Sequence, residues 1–95
     1  MGTGSIEVTE ATVVDEDLVG AMAQLVPQLS SSGSPPDTEA LEAIVASDSV
    51  VLLVAVFEGV IVGSLSLVLF RIPTGLRAWI EDVVVDEAAR GGGVG

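Results

Sequence analysis

The chain opens with two segments whose apolar residues follow different periods. Ile6 to Glu10 alternates apolar and polar residues, which is typical of a short strand with one exposed face. Asp15 to Asp17 then supply acidic side chains, which favour the exposed amides of a helix N-terminus. Four apolar residues follow at spacings of four, three and four: Leu18, Met22, Leu25 and Leu29. The pattern predicts a strand and then a helix that buries one face.

A second helix is predicted after a segment rich in serine and proline. Pro27 has no amide donor, so it should kink or end the first helix near its last turn, ahead of residues 30–36. Asp37 or Thr38 can cap the next helix. Ser47-Asp48-Ser49 closes this helix. Its apolar side comprises Leu41, Ile44 and Val45.

The most apolar stretch, Val50 to Phe70, has two interpretations. It contains 21 residues and a single charge, Glu58, and is therefore long enough to cross a bilayer as a helix. However, its valines, isoleucine and phenylalanines favour strands, and a charge near the middle suits a turn better than a bilayer. Gly59 supplies the positive φ that a tight hairpin requires. We therefore favour two hairpin strands over a membrane span.

Two further segments complete the predicted fold. Arg71 to Arg77 contains Pro73 and Gly75 and is predicted to be a loop, and Ala78 to Val85 is predicted to be a fourth strand. The order is then strand, helix, helix and three strands. Three consecutive strands after a helix pair favour an α+β domain with a largely antiparallel sheet, formed by residues 1–95 as a whole.

Composition excludes several functions. Three basic residues stand against 14 acidic ones, a net charge of -11, which disfavours nucleic acid and anionic membranes as partners. The chain has no His and no Cys, which excludes the common zinc sites and any triad that needs either residue. Met1 to Ser5 lacks the pattern of a secretory signal. We expect a cytoplasmic protein without a metal site.

The last six residues carry the most specific motif, Arg90-Gly91-Gly92-Gly93-Val94-Gly95. A glycine-rich loop directly after an apolar strand can bring several backbone amides onto a phosphate, because no Cβ atoms obstruct the approach. Such loops usually open a helix whose N-terminus adds to the anion site. The sequence ends before such a helix, so a truncated domain is expected.

With the strand before it, this motif resembles the GNAT superfamily of N-acetyltransferases. The superfamily's signature is Arg/Gln-x-x-Gly-x-Gly/Ala after its fourth strand, which Arg90, Gly93 and Gly95 match. Three other segments are similar to members of the superfamily: Leu25 to Ser30, Glu58 to Gly63 and Ile80 to Asp86. The resemblance implies a partial GNAT fold that lacks the C-terminal helices and strands and stops within the loop that binds pyrophosphate.

The resemblance implies acetyl-coenzyme A as the acyl donor. In the superfamily, its pantetheine pairs with the backbone of the fourth strand, here Val83, Val84 and Val85. Its pyrophosphate rests on the signature loop, here Arg90, Gly91, Gly92, Gly93, Val94 and Gly95. The three valines fit a plain sheet core equally well, since side chains and main chain can serve different purposes.

Acetyl transfer also needs a group that removes a proton from the amine. Glu81 and Asp82 are the candidates, and as neighbours on a strand they are predicted to lie on opposite faces, so that only one can face a given wall of the cleft. Glu81 would share its face with Trp79, Val83 and Val85, and we favour it. The chain contains no Tyr, the residue that usually protonates the thiolate in the superfamily. The fragment is therefore expected to be weak or inactive as a catalyst.

Two classes of function remain open at this point. The first is the N-terminal part of an acetyltransferase acting on a small-molecule amine, whose positive charge the acidic surface would favour. The second is a non-enzymatic, self-associating half-fold that does not bind acetyl-coenzyme A. In either case the fourth strand is expected to be an exposed apolar edge that pairs with a second copy to form a homodimer. That edge would carry Ile80, Val83, Val84 and Val85.

Overall fold

Four strands and two helices form an α+β domain in the predicted order. The computed structural model describes residues 5–30 and 33–89. Its elements are β1 (Ile6–Glu10), α1 (Glu16–Leu29), α2 (Thr38–Ala46), β2 (Val50–Phe57), β3 (Val60–Ile72), β4 (Gly75–Val85) and a 3₁₀ turn (Glu87–Ala89). The strands form one antiparallel sheet in the order β1-β2-β3-β4. The predicted α+β fold class is confirmed.

Both helices begin at an aspartate that caps exposed amides. The Asp15 carboxylate accepts a hydrogen bond from the Leu18 amide at 2.9 Å, and the Asp37 carboxylate accepts one from the Ala40 amide at 2.8 Å. Asp37, not Thr38, is therefore the cap of α2. Pro27 lies inside α1, which ends two residues later at Leu29, as predicted.

The helices cover one face of the sheet and bury the core there. α1 packs against β3 and β4, and α2 packs against β2. The core side chains are Leu18, Met22, Leu25, Leu41, Leu52, Val54 and Val84. Leu29 follows the same helical spacing but is 39% exposed, because it borders an open hollow at the end of α1. The apolar spacing thus identified most of the buried helix face.

The apolar stretch from Val50 to Phe70 forms a strand hairpin, as we favoured. β2 and β3 join at Glu58-Gly59, and both turn residues have positive φ, 51° and 80° respectively. Positive φ at both central residues is the geometry whose twist matches that of paired strands. Within the described ranges, none of the helices has the length and apolar character needed to span a membrane.

The second hairpin is longer than the sequence suggested. Strand pairing continues to Ile72 and resumes at Gly75, so only Pro73 and Thr74 form the turn. The loop predicted for Arg71 to Arg77 is therefore wrong in extent. Pro73 does not interrupt the ladder because it occupies the turn, where no amide donor is needed. Gly75, with φ 136°, adopts a backbone that other residues rarely reach.

Candidate functional site at the fourth strand

β4 is interrupted by a β-bulge close to the predicted site residues. Two residues of β4, Asp82 and Val83, lie opposite a single residue of β3, Leu65. Asp82 has φ 52°, a left-handed conformation that is uncommon for a residue other than glycine. On either side of the bulge the pairs are Ser66 with Glu81 and Ser64 with Val84. The bulge therefore lies where the candidate catalytic residues, Glu81 and Asp82, meet the candidate cofactor-binding residues that begin at Val83.

The bulge changes which side chains share a face of the sheet. Residues directly opposite each other on antiparallel strands point to the same face. Leu52 and Val54 lie beneath the helices, and their partners on β3 are Ser66 and Ser64. The corresponding partners on β4 are Glu81 and Val84. The prediction that Glu81 shares a face with Val83 and Val85 is therefore wrong, because regular alternation does not continue across an extra residue.

Asp82 borders a hollow between the helices and the sheet. This helix-side hollow has a volume of about 270 Å³, and its lining includes Met22, Leu29, Ile44, Ser64, Ser66 and Asp82. Most of the lining is apolar, and the exposed Asp82 contributes a carboxylate at its edge that could contact a cation. The expected separation of Glu81 and Asp82 onto opposite faces is also wrong, since the bulge turns Asp82 towards the helices. The structure thus places a carboxylate at a cavity large enough for part of a small molecule.

Glu81 is oriented by a neighbour on its own strand. The indole Nε1 of Trp79 donates a hydrogen bond to Glu81 Oε2 at 2.5 Å. Both side chains are exposed, and Trp79 retains 58% of its accessible surface. Because the acceptor is a carboxylate, this is a charge-assisted bond that uses one of its two oxygens. Glu81 is therefore held along the strand, beside the helix-side hollow and not among the residues that line it.

The three valines proposed to pair with a cofactor have different environments. Val84 is 6% exposed and belongs to the core, whereas Val83 is 57% exposed. Val83 and Val85 line a groove of about 150 Å³ that also includes Val8, Ala55 and Leu65. The prediction that Val84 contributes its side chain to an exposed edge is wrong, because that side chain packs beneath the helices.

The outer edge of β4 carries the other residues of the predicted edge. Within residues 5–30 and 33–89, no strand pairs with β4 on the side away from β3. Ile80 is 59% exposed there, in agreement with an apolar edge. The loop residues from Arg90 to Gly95 lie outside the described residues. In the described part of the chain no three residues among Asp, Glu, His and Cys are grouped so as to hold a metal ion.

The end of β4 is held close to β3 and α1. A Cβ atom placed on Gly63 would lie 3.0 Å from the carbonyl oxygen of Val84, so β3 approaches β4 where only glycine fits without a shift. One residue beyond β4, the Asp86 amide donates to the Val62 carbonyl at 2.8 Å. Gln28 of α1 contacts Asp86 and Glu87 through its side chain. The sequence did not identify Gln28 as a residue that contacts the end of β4, although Gln28 lies in the segment Leu25 to Ser30, which is similar to members of the GNAT superfamily.

Comparison of the sequence with models of protein families identifies the family of this chain. The model of the acetyltransferase (GNAT) family matches residues 16–95, most of the chain. The chain belongs to the GNAT acetyltransferase family. The resemblance inferred from Arg90, Gly93 and Gly95 is thereby confirmed at the level of the family. Among curated proteins, none gives a significant match.

Solved acetyltransferases share the fold of this GNAT chain. An aminoglycoside acetyltransferase from an uncultured soil metagenomic sample, solved in complex with sisomicin, is 22% identical, with a TM-score of 0.78 over 95% of this chain and 62% of that one. A GNAT family acetyltransferase of Staphylococcus aureus is 20% identical, with a TM-score of 0.79 over 95% of this chain and 69% of that one. An acetyltransferase of Trypanosoma brucei is 28% identical, with a TM-score of 0.70 over 95% of this chain and 66% of that one.

The lengths of these solved structures show how much of the fold this GNAT chain contains. It spans between 62% and 69% of their length while nearly all of it is aligned. The expected partial GNAT fold is confirmed by this coverage and by the observed element order. Identities near 20% show a shared architecture and leave the substrate to be argued from the residues.

Proposed function

We propose that this GNAT chain takes part in the transfer of an acetyl group from acetyl-coenzyme A to the primary amine of a small cationic molecule. The observation that supports this most directly is the bulge at Asp82 and Val83. It turns a carboxylate towards the helix-side hollow and leaves Val83 exposed beside the outer edge of β4. An amine site and a cofactor site would then lie on either side of one short stretch of backbone.

The exposed edge of β4 supports the proposal that the cofactor binds along this strand. The outer edge of β4 has no neighbouring strand in the described ranges, which leaves room for a pantetheine arm to lie along the backbone from Val83 to Val85. Arg90 to Gly95 would hold the pyrophosphate, with the glycines allowing close approach of the amides and Arg90 adding positive charge. When bound, acetyl-coenzyme A would supply the thioester whose acetyl group passes to the amine, and coenzyme A would leave as the free thiol.

The two carboxylates would have different roles. Asp82, at the hollow, would bind the protonated amine and accept one proton from it, which frees the nitrogen lone pair to attack the acetyl carbon. The nitrogen would lose its second proton to water as the carbon–sulfur bond breaks and the amide forms. Glu81, held by Trp79, would attract the same cation from beside the hollow. No tyrosine exists in the chain to protonate the departing thiolate, so that proton would come from water. We therefore expect slow turnover by the 95-residue chain alone.

A cationic acceptor is supported by charge and by one structural neighbour. The net charge of -11 would concentrate cations at the surface. The soil metagenomic acetyltransferase was crystallised with sisomicin, an aminoglycoside, and thus binds a molecule with several amines. Sisomicin is therefore a sensible first acceptor probe for this chain.

The test compares two isosteric substitutions. Calorimetry measures acetyl-coenzyme A binding, and a thiol-release assay measures transfer to sisomicin. We expect Asp82→Asn to slow transfer by about 100-fold, the usual contribution of a general base, and Glu81→Gln to slow it only about threefold. A larger loss with Glu81→Gln would reassign the base to Glu81. The absence of any acetyl-coenzyme A binding would favour the non-enzymatic module.

The exposed edge of β4 supports homodimer formation as a second property. Ile80 lies before the bulge, away from the proposed pantetheine contacts, and retains more than half of its accessible surface at a strand edge without a neighbour in the described part. We expect sedimentation to show a dimer that Ile80→Lys converts to a monomer. Val13→Lys is the matched control, because Val13 is also more than half exposed but lies between β1 and α1. A monomeric wild-type chain at high concentration would contradict this proposal.

A further inference from the structure

Gln28 joins two parts of the molecule that lie far apart in the sequence. It is in the last turn of α1, and its side-chain Oε1 accepts a hydrogen bond from the Glu87 amide at 2.7 Å. Its Nε2 lies 3.4 Å from Asp86 Oδ1, to which it donates. The two contacts bridge 58 and 59 residues of chain. Gln28 therefore connects the helix to the residues that directly follow β4.

The contacts require an amide side chain in one orientation. Nε2 also donates to the carbonyl oxygen of Gln24, one turn earlier, at 3.0 Å. Both amide hydrogens and the amide oxygen thus have partners, and only the orientation with Oε1 towards Glu87 satisfies them all. A carboxylate would keep the acceptor but lose both donors, and it would place a second negative charge beside Asp86. The bond to Gln24 also holds the side chain against its own helix.

Asp86 organises the turn that follows β4. Its Oδ1 accepts the Ala88 amide at 3.0 Å as well as the bond from Gln28, and its carbonyl accepts the Ala89 amide at 2.8 Å. Its own amide is bonded to Val62 of β3. The 3₁₀ turn Glu87–Ala89 is therefore fixed to the sheet through Asp86 and to α1 through Gln28.

We propose that Gln28 is a positioning residue for cofactor binding, a role that rests on the proposed function. By fixing Asp86 and Glu87 to α1, it sets where the chain leaves β4, three residues of sequence before the proposed pyrophosphate-binding residues start at Arg90. Its effect should therefore fall on recognition of the pyrophosphate and not on the pantetheine, which would contact the strand itself. Gln28 need not touch the ligand.

The first measurement requires no ligand. Amide hydrogen exchange of Glu87 and Ala88, followed by NMR, should accelerate by at least about fivefold in Gln28→Ala, because the Glu87 amide loses its acceptor. Gln24→Ala is the matched control on the same helix, since only the backbone of Gln24 takes part in the contacts described. Unchanged exchange in Gln28→Ala would overturn the proposal.

The second measurement compares two ligands. Gln28→Glu should weaken acetyl-coenzyme A binding by about tenfold, a loss in the range of one to two hydrogen bonds, while the affinity for acetyl-pantetheine, which lacks the pyrophosphate, should not change. A purely structural role would weaken both ligands equally and would overturn the proposal. If the wild-type chain binds neither ligand, the proposed function fails and Gln28 has no cofactor to position. The exchange experiment would still report the contact to α1 separately.

Discussion

The two parts of β4 on either side of the bulge differ in how they are held. The outer part, residues 75–81, pairs with β3, and its side chains from Leu76 onwards are exposed, including Trp79 and Ile80. The inner part, Val84 and Val85, buries Val84 beneath the helices, and the residues that follow it, Asp86 and Glu87, are bonded to Val62 and Gln28. Strand pairing alone thus orders the backbone but does not bury side chains. The proposed site lies at the boundary, where one side of the bulge is fixed and the other is accessible.

The largest expected effect on stability comes from replacing a valine at this boundary with alanine. The two neighbouring valines, Val83 and Val84, should respond very differently. Val84→Ala removes buried methyl groups and should lower the free energy of unfolding by about 2 kcal/mol, including the cavity that it leaves. Val83→Ala should lower it by less than about 0.5 kcal/mol, because Val83 is mostly exposed already. Urea unfolding of both variants measures the two values. Equal losses would show that the two parts of β4 are held alike.

A smaller effect is expected from adding a methyl group where β3 approaches the inner part of β4. The Cβ atom of Gly63→Ala would lie 3.0 Å from the Val84 carbonyl oxygen, a backbone atom that must move to relieve the contact. We expect a loss of about 1 kcal/mol, at the lower end of the cost of overpacking. Thermal unfolding, followed by circular dichroism, measures it.

Gly20→Ala is the matched control for that substitution. Gly20 is exposed in α1, and a Cβ atom there would meet nothing within 4 Å. The same change should therefore stabilise the protein by about 0.5 to 1 kcal/mol, because alanine favours the helix and restricts the unfolded chain. If both variants were stabilised, β4 would have room to shift near Val84, and the inner part would be held less tightly than its contacts indicate.

The sequence predicted the order and type of the elements far better than it predicted where β4 begins and where it is interrupted. Aspartates before each helix, helical spacing of leucines and the Glu58-Gly59 turn are local signals, and they identified the order of all six main elements. Pro73 and Gly75 are equally local signals, but they also occur in tight turns, so they suggested a longer loop than the one present. No residue in the sequence indicated the bulge. Its residue with positive φ is Asp82, whereas glycine is the residue that usually indicates such a conformation.

The candidate site could be predicted only in part for a related reason. The residue types and their order along β4 identified Glu81 and Asp82 as the acidic pair, but the face that each occupies depends on the bulge. The contact between Gln28 and Glu87 depends on how α1 lies on the sheet. Long-range contacts of this kind follow from packing, which no local pattern in the chain encodes.

The smallest expected effect tests the turn at the inner end of β3, next to the residues that pair with Val85. Glu58 has φ 51°, which costs a residue other than glycine or asparagine some stability. Glu58→Asn should raise the free energy of unfolding by about 0.5 kcal/mol, because asparagine before glycine favours this turn. Glu58→Gln removes the same charge without the conformational preference, so an equal gain there would assign the effect to charge repulsion. A gain in the free energy of unfolding that occurs only with asparagine, measured by urea unfolding, would show that the turn conformation lowers the stability of this end of the hairpin. Its side-chain packing would then not be the weaker contribution.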